Sequence, residues 1–150
     1  MHACAAAGAS FLVAVLWFDL MFDFQARRYA GEVLPAEVLA SIGGYYRRVT
    51  TQATPMNRLI TVVMGLTILS IIVEIVRGAT PRWVSWPSLA AAVSGIGLAA
   101  ARTVRNAVRL GSGADPLDVQ SRLARSVYRD HLFCLAVMTL VVALQLAAGV

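Results

Sequence analysis

The stretch Met56–Val76 reads MNRLITVVMGLTILSIIVEIV and carries two ionisable residues, Arg58 near its start and Glu74 near its end. A helix rises about 1.5 Å per residue and a bilayer's hydrocarbon core is about 30 Å thick, so about 20 apolar residues cross it. Inside that core no water satisfies a peptide group, so a crossing segment bonds internally and is expected to be a helix. Three other stretches have the same character: Ala5–Phe24, Trp83–Ala101 and Leu132–Ala148. Spans at about 5–24, 56–76, 83–101 and 132–148 leave two long connections, 25–55 and 102–131, and little chain for a soluble domain. The expected fold is all-α: residues 1–150 form a single tetraspanning membrane domain, a four-transmembrane-helix bundle.

Composition agrees. Hydrophobic residues make up 59% of the chain and the mean hydropathy is +0.71, which excludes an ordinary soluble domain. All thirteen basic residues are arginine. A GC-rich coding genome explains that bias first; the fit of guanidinium to anionic headgroups comes second. Nothing in the pattern calls for a nucleic acid. Cys4 and Cys134 are expected on opposite membrane faces, beyond the reach of an intrachain disulfide.

Arginine placement gives an orientation. Arg27, Arg28, Arg47 and Arg48 lie in the first long connection, with Arg58 just beyond it. The second holds Arg102, Arg105, Arg109, Arg122, Arg125 and Arg129, whereas the short connection between the middle spans has only Arg77 and Arg82. Positive charge stays in the cytoplasm, so the N and C termini are expected outside, in a bacterial plasma membrane. The spacing also predicts a cytoplasmic extension of the third and fourth spanning helices. They would form an arginine-rich hairpin turned at Gly111-Ser112-Gly113 and reopened at Asp115-Pro116. Pro35 and Glu37 predict a short interfacial helix over 36–42, broken by Gly43-Gly44, after which Tyr45 and Tyr46 suit the headgroup zone.

Charge inside a span is costly, of order 2.5–3.5 kcal/mol at a helix centre, so it needs a reason. The first span has Asp19 and Asp23, four apart and therefore on one face. At the same expected depth the other spans bring Asn57 and Arg58, then Arg105 and Asn106, then Tyr128, Arg129, Asp130 and His131. One reading pairs the two aspartates with Arg58, Arg105 or Arg129 as helix-docking salt bridges. The other makes a pocket in which Asp19, Asp23 and His131 move protons, Trp17 with Phe18, Phe22 and Phe24 holds an apolar body, and the remaining polar residues hold a ligand. Asp19, Asp23 and His131 could also form a two-carboxylate, one-histidine metal set. A single suitable histidine and many arginines count against it, so no metal and no cofactor is expected. At the other end, Glu74 is expected to pair with Arg77, His2 to sit in solvent, and Gln145 to bond a neighbouring helix.

The layout resembles the small four-helix integral membrane proteins of the anthrone-oxygenase-like family of unknown-function domains. Asn106 after the third span and the run Arg125-Ser126-Val127-Tyr128-Arg129-Asp130-His131-Leu132 carry the likeness. The family's tryptophan ahead of the histidine is absent, Tyr128 being the nearest aromatic, and so is the arginine after it. The resemblance implies cofactor-independent oxygenation of a polyketide anthrone.

Three functions follow as expectations. The first is a polar pocket at the cytoplasmic membrane edge that binds or converts an apolar, anionic small molecule or lipid. The second is a non-catalytic accessory subunit of a larger membrane complex. The third is a proton-coupled carrier acting as a homo-oligomer through Asp19 and Asp23.

Overall fold

The computed structural model describes residues 2–148. Helix α1 spans His2–Asp23 and tightens into a 3₁₀ turn at Phe24–Arg27. Helix α2 runs Ala36–Arg47, α3 Thr54–Arg77, α4 Arg82–Leu98, α5 Val104–Ser112 and α6 Leu117–Ala147. Four helical segments are long and apolar enough to cross a membrane: His2–Arg27, Pro55–Arg77, Arg82–Ser112 and Leu117–Ala147. Among the described residues there is no strand.

The four long helices close a ring in the order α1, α3, α4, α6, each packed on the next and α6 back on α1. Small side chains let them approach. A Cβ on Gly95 of α4 would come within 2.7 Å of Val137 Cγ2 and 3.1 Å of Met138 Cε on α6. That places the Ala91–Gly95 track of small residues against α6, the use expected of small residues in membrane helices. The bundle core is Ala5, Ala9, Leu12, Ile71, Ala91, Ala92, Met138 and Val141. Large apolar residues such as Leu66, Leu69, Leu140 and Leu146 face outward. An outward apolar face of this kind is what a membrane-spanning bundle requires.

A second core lies beyond one end of the ring. There Val38, Leu39, Ile42 and Tyr46 of α2 pack on Ala107 and Leu110 of α5 and on Leu123, Ala124 and Val127 of α6. The α5–α6 hairpin, expected as an extension of the third and fourth spans, carries α2 against its side. The expected break at Gly43-Gly44 is corrected: α2 runs straight through both residues. Gly111 on α5 gives the physical reason for the close fit. A Cβ there would lie 2.8 Å from the backbone nitrogen of Arg47 and 3.0 Å from the carbonyl carbon of Tyr46. Glycine here buys helix contact, not a helix stop.

Helix ends follow local chemistry. Gly78 and Gly113 close α3 and α5 with φ of 61° and 63°, which an L side chain rarely adopts. Pro55 sits in the first turn of α3. Pro81 directly precedes α4, and Pro87 lies inside the helix. Arg125 reaches back to the carbonyls of Tyr29, Gly31 and Glu32, and Ser121 Oγ accepts the Leu34 N–H at 2.9 Å. These bonds fix the segment between α1 and α2.

Candidate functional site

Asp19 and Asp23 lie near the end of α1 and turn inward, Asp23 with 0% exposure. A carboxylate sealed in an apolar bundle needs donors on both oxygens. Tyr46 OH donates to Asp23 Oδ1 at 2.7 Å, and His131 Nδ1 is 2.7 Å from Oδ2. Tyr45 OH donates to Asp19 Oδ1 at 2.6 Å, and Asp19 Oδ2 stands 3.9 Å from His131 Nε2. The chain of groups is therefore Tyr46, Asp23, His131, Asp19, Tyr45. Phe22 stacks on Tyr45 with centroids 4.1 Å apart and closes this row from outside.

Both tyrosines are held as neutral donors. Burial first, and then the charge of Asp23 and Asp19, raises the Tyr46 phenol well above its ordinary value. Burial followed by Asp19 does the same for Tyr45. Each phenol can thus only donate to its carboxylate. When His131 Nδ1–H donates to Asp23, Nε2 keeps its lone pair on the side of Asp19.

That side opens into a cavity of about 300 Å³. Asp19, Tyr46 and His131 form its polar end, with Thr50, Asn57 and Thr103 beside them. Leu16, Ile60, Met64, Ile96 and Met138 form its apolar walls, with the Cys134 thiol among them. Met56, Val104 and Val108 line the cavity and are also 48%, 52% and 45% exposed. Among the described residues α3 and α5 do not touch. The cavity accordingly opens sideways, between α3 and α5.

Two widened helical turns border it. Residues Arg48–Gln52 close with the bond from Ala53 N to Arg48 O, and Ala99–Thr103 with that from Val104 N to Ala99 O. Such i→i+5 turns in otherwise α-helical segments are frequent at functional sites. Here they set Val49 and Thr50 on one wall and Thr103 on the other.

Of the other expected residues, Asn57 lines the cavity and donates to Thr50 O at 3.2 Å, whereas Asn106 lies outside the lining and donates to Ser126 Oγ on α6 at 3.3 Å. Asp130 does not join the cavity. It is 1% exposed and takes a bidentate pair from Arg102 plus the Thr103 hydroxyl at 3.1 Å, which pins α6 to the end of α4. Arg58, Arg105 and Arg129 are exposed, and none reaches Asp19 or Asp23; Arg105 bonds Ala101 O. Tyr128 is half-buried without a polar partner among the described residues. Trp17 is 62% exposed, and Phe18 and Phe24 also face out. Positions two residues apart differ by about 200° around a helix, so an inward Asp19 puts Trp17 on the outer face of the bundle.

The sequence reading missed Tyr45 and Tyr46 as site residues. A signal was available: Val38, Leu39, Ile42 and Tyr46 keep helical spacing across the glycine pair, as a packed face does.

The opposite end holds a smaller polar group. Glu74 is fully buried and turns from Arg77 towards Thr80 Oγ1, which donates at 3.3 Å, and towards His2, 3.7 Å away. His2 is half-buried, 3.4 Å from Gln145 Oε1, and Gln145 Nε2 donates to Ser88 Oγ at 3.3 Å. This corrects the expected Glu74–Arg77 pair and the solvent-exposed His2. His2, Glu74 and Gln145 therefore lie together at one end of the bundle. Cys4 and Cys134 are both free thiols.

Among the described residues no group of three or more His, Cys, Asp or Glu side chains is arranged to hold a metal ion. No protein-family model, curated protein or solved structure matches this chain. Geometry alone therefore carries the functional reading.

Proposed function

We propose that this protein binds an apolar small molecule bearing a weakly acidic O–H or C–H group and takes its proton on His131. The observation that carries the reading is the Asp23–His131 pair at the polar end of a cavity whose walls are apolar. Asp23 fixes the imidazole through Nδ1, leaving Nε2 to accept the proton from the ligand. The imidazolium so formed lies between two carboxylates, which stabilise it at the moment charge develops. Tyr46 and Tyr45 hold those carboxylates in place. The ligand enters from the bilayer between α3 and α5, its body against Leu16, Ile60 and Ile96.

The ligand's head is a neutral hydrogen-bond donor in this reading, not the anion that the arginines first suggested. No arginine lines the cavity; the Asp19 carboxylate does, and Asp23 lies behind it, bonded to Tyr46 and His131. With the long connections inside by arginine placement, this polar end lies at the cytoplasmic edge and the termini lie outside. A carbanion or phenolate formed here is the species that reacts with dioxygen without a cofactor, the chemistry implied by the resemblance to anthrone-oxygenase-like proteins. The carrier alternative, acting as a homo-oligomer through Asp19 and Asp23, draws less support, since Ala5, Ala9, Leu12, Ile71 and Met138 make the bundle core apolar.

The test uses 4-nitrophenol, whose anion absorbs visibly. Titrated into the purified protein, it is expected to gain anion absorbance on binding, and His131→Asn should abolish that gain while the protein stays folded. Equal absorbance in both proteins would contradict the assignment.

A further inference from the structure

On the far side of Asp130 from the cavity, a groove of about 630 Å³ runs between α4 and α6 on the outer surface. Its lining is graded. Arg102, Arg129 and Ser126 stand at one end, Leu98 and Phe133 follow one turn further on, and Ser94 comes last on α4. From Arg102 to Ser94 is about 12 Å along the helix, so the groove descends from the rim of the apolar span into it. Ser94 Oγ donates to its own helix at Ala91 O, which leaves that lower end without a free donor.

The upper end keeps its donors free. Arg129 makes no hydrogen bond or ion pair among the described residues, and its guanidinium is exposed. Ser126 Oγ accepts from Asn106, so its own proton is available. Arg102 is held by the buried Asp130 yet stays half exposed, which positions it beside Arg129. Two arginines against one buried carboxylate leave one net positive charge.

We propose that this groove binds an anionic phospholipid of the adjacent leaflet, with the phosphate on Arg129, Arg102 and Ser126 and an acyl chain along Leu98 and Phe133. Guanidinium groups suit phosphate because their planar fork donates two parallel hydrogen bonds. Depth selects a lipid over a soluble phosphate ester: the phosphate end adjoins an apolar slot that only a chain within the bilayer can fill. Basic pockets between spanning helices recognise anionic headgroups in this way. The site is separate from the reaction cavity and does not depend on it.

Native mass spectrometry of the detergent-purified protein with equimolar phosphatidylglycerol and phosphatidylcholine tests this. The expected result is one retained phosphatidylglycerol, favoured over phosphatidylcholine by about fivefold or more, the worth of one basic residue at a membrane surface. Arg129→Gln should remove the preference and Arg129→Lys should restore part of it. Arg122→Gln should leave it intact, because Arg122 pairs with Asp118 away from the groove. An unchanged preference in Arg129→Gln would overturn the site, as would equal loss in Arg122→Gln. Displacement of the lipid by millimolar inorganic phosphate would overturn the lipid assignment.

Discussion

Tyr46 and His131 meet on one carboxylate: the phenol lies 2.7 Å from Asp23 Oδ1 and the imidazole 2.7 Å from Oδ2. Three helices, α1, α2 and α6, are joined at this point. Removing Asp23 strands two buried polar groups at once, whereas removing a tyrosine strands one acceptor. Asp23→Ala should therefore destabilise by about 3–5 kcal/mol, and Tyr46→Phe by about 1–3 kcal/mol. Tyr45→Phe should cost less than Tyr46→Phe, since Asp19 keeps some contact with solvent. Thermal unfolding in detergent gives the order directly, and an unshifted Tm in Asp23→Ala would contradict the pairing.

Alkaline pH should loosen the same junction. Burial and Asp23 raise the Tyr46 phenol, so the folded protein keeps the proton that an unfolded chain loses near pH ~10. The stabilisation is complete below that pH and is lost as pH rises towards the folded value. Wild-type Tm should fall above about pH 10, and Tyr46→Phe should flatten the fall. Parallel curves for the two proteins would argue against a buried phenol.

Acid acts elsewhere, at the turn between α5 and α6. Arg109 donates to both oxygens of Asp115 at 2.7 Å, and this holds the Asp115 carboxyl below its usual value. The contribution is present above the ordinary carboxylate range and disappears as pH falls through the lowered value. Asp115→Asn should therefore lower Tm at neutral pH and match the wild type once both are strongly acidic. Because the pair lies at the surface, added salt should shrink the neutral-pH difference.

Glycine substitutions separate close packing from helix propensity. Gly111→Ala drives a methyl into the α2 backbone at Tyr46 and Arg47, which cannot rotate away. It should cost stability and, by shifting Tyr46, weaken phenol binding as well. At Gly95 the obstacles are the side-chain ends of Val137 and Met138, so alanine should be milder there. Gly44 has nothing within 4 Å of a new Cβ, and alanine at this helical position should stabilise by up to about 1 kcal/mol. Melting the three variants side by side checks the ranking.

Hydropathy and length made the four spanning segments legible, because lipid leaves the backbone few choices. The i, i+4 spacing placed Asp19 and Asp23 on one inward face, and the depth argument brought His131 to the same level. The partners could not be read the same way. Arginine outnumbers every other donor in the connections, so charge matching favoured Arg58, Arg105 and Arg129. The fold instead gives Asp19 and Asp23 the phenols of α2, a helix whose path through Gly43-Gly44 depends on a packing partner far along the chain, α5. Trp17 misled for a simpler reason. Its size suits a ligand wall, but its angle from Asp19 sends it to the outer surface of the bundle.

A structure determined with 4-bromophenol bound, with the bromine located by anomalous scattering, tests the central proposal most directly. The expected result is a single site with the phenol oxygen within hydrogen-bond distance of His131 Nε2 and the ring between Leu16, Ile60 and Ile96. Bromine found only at the outer surface, or a phenol oxygen bonded elsewhere with His131 Nε2 left free, would contradict it.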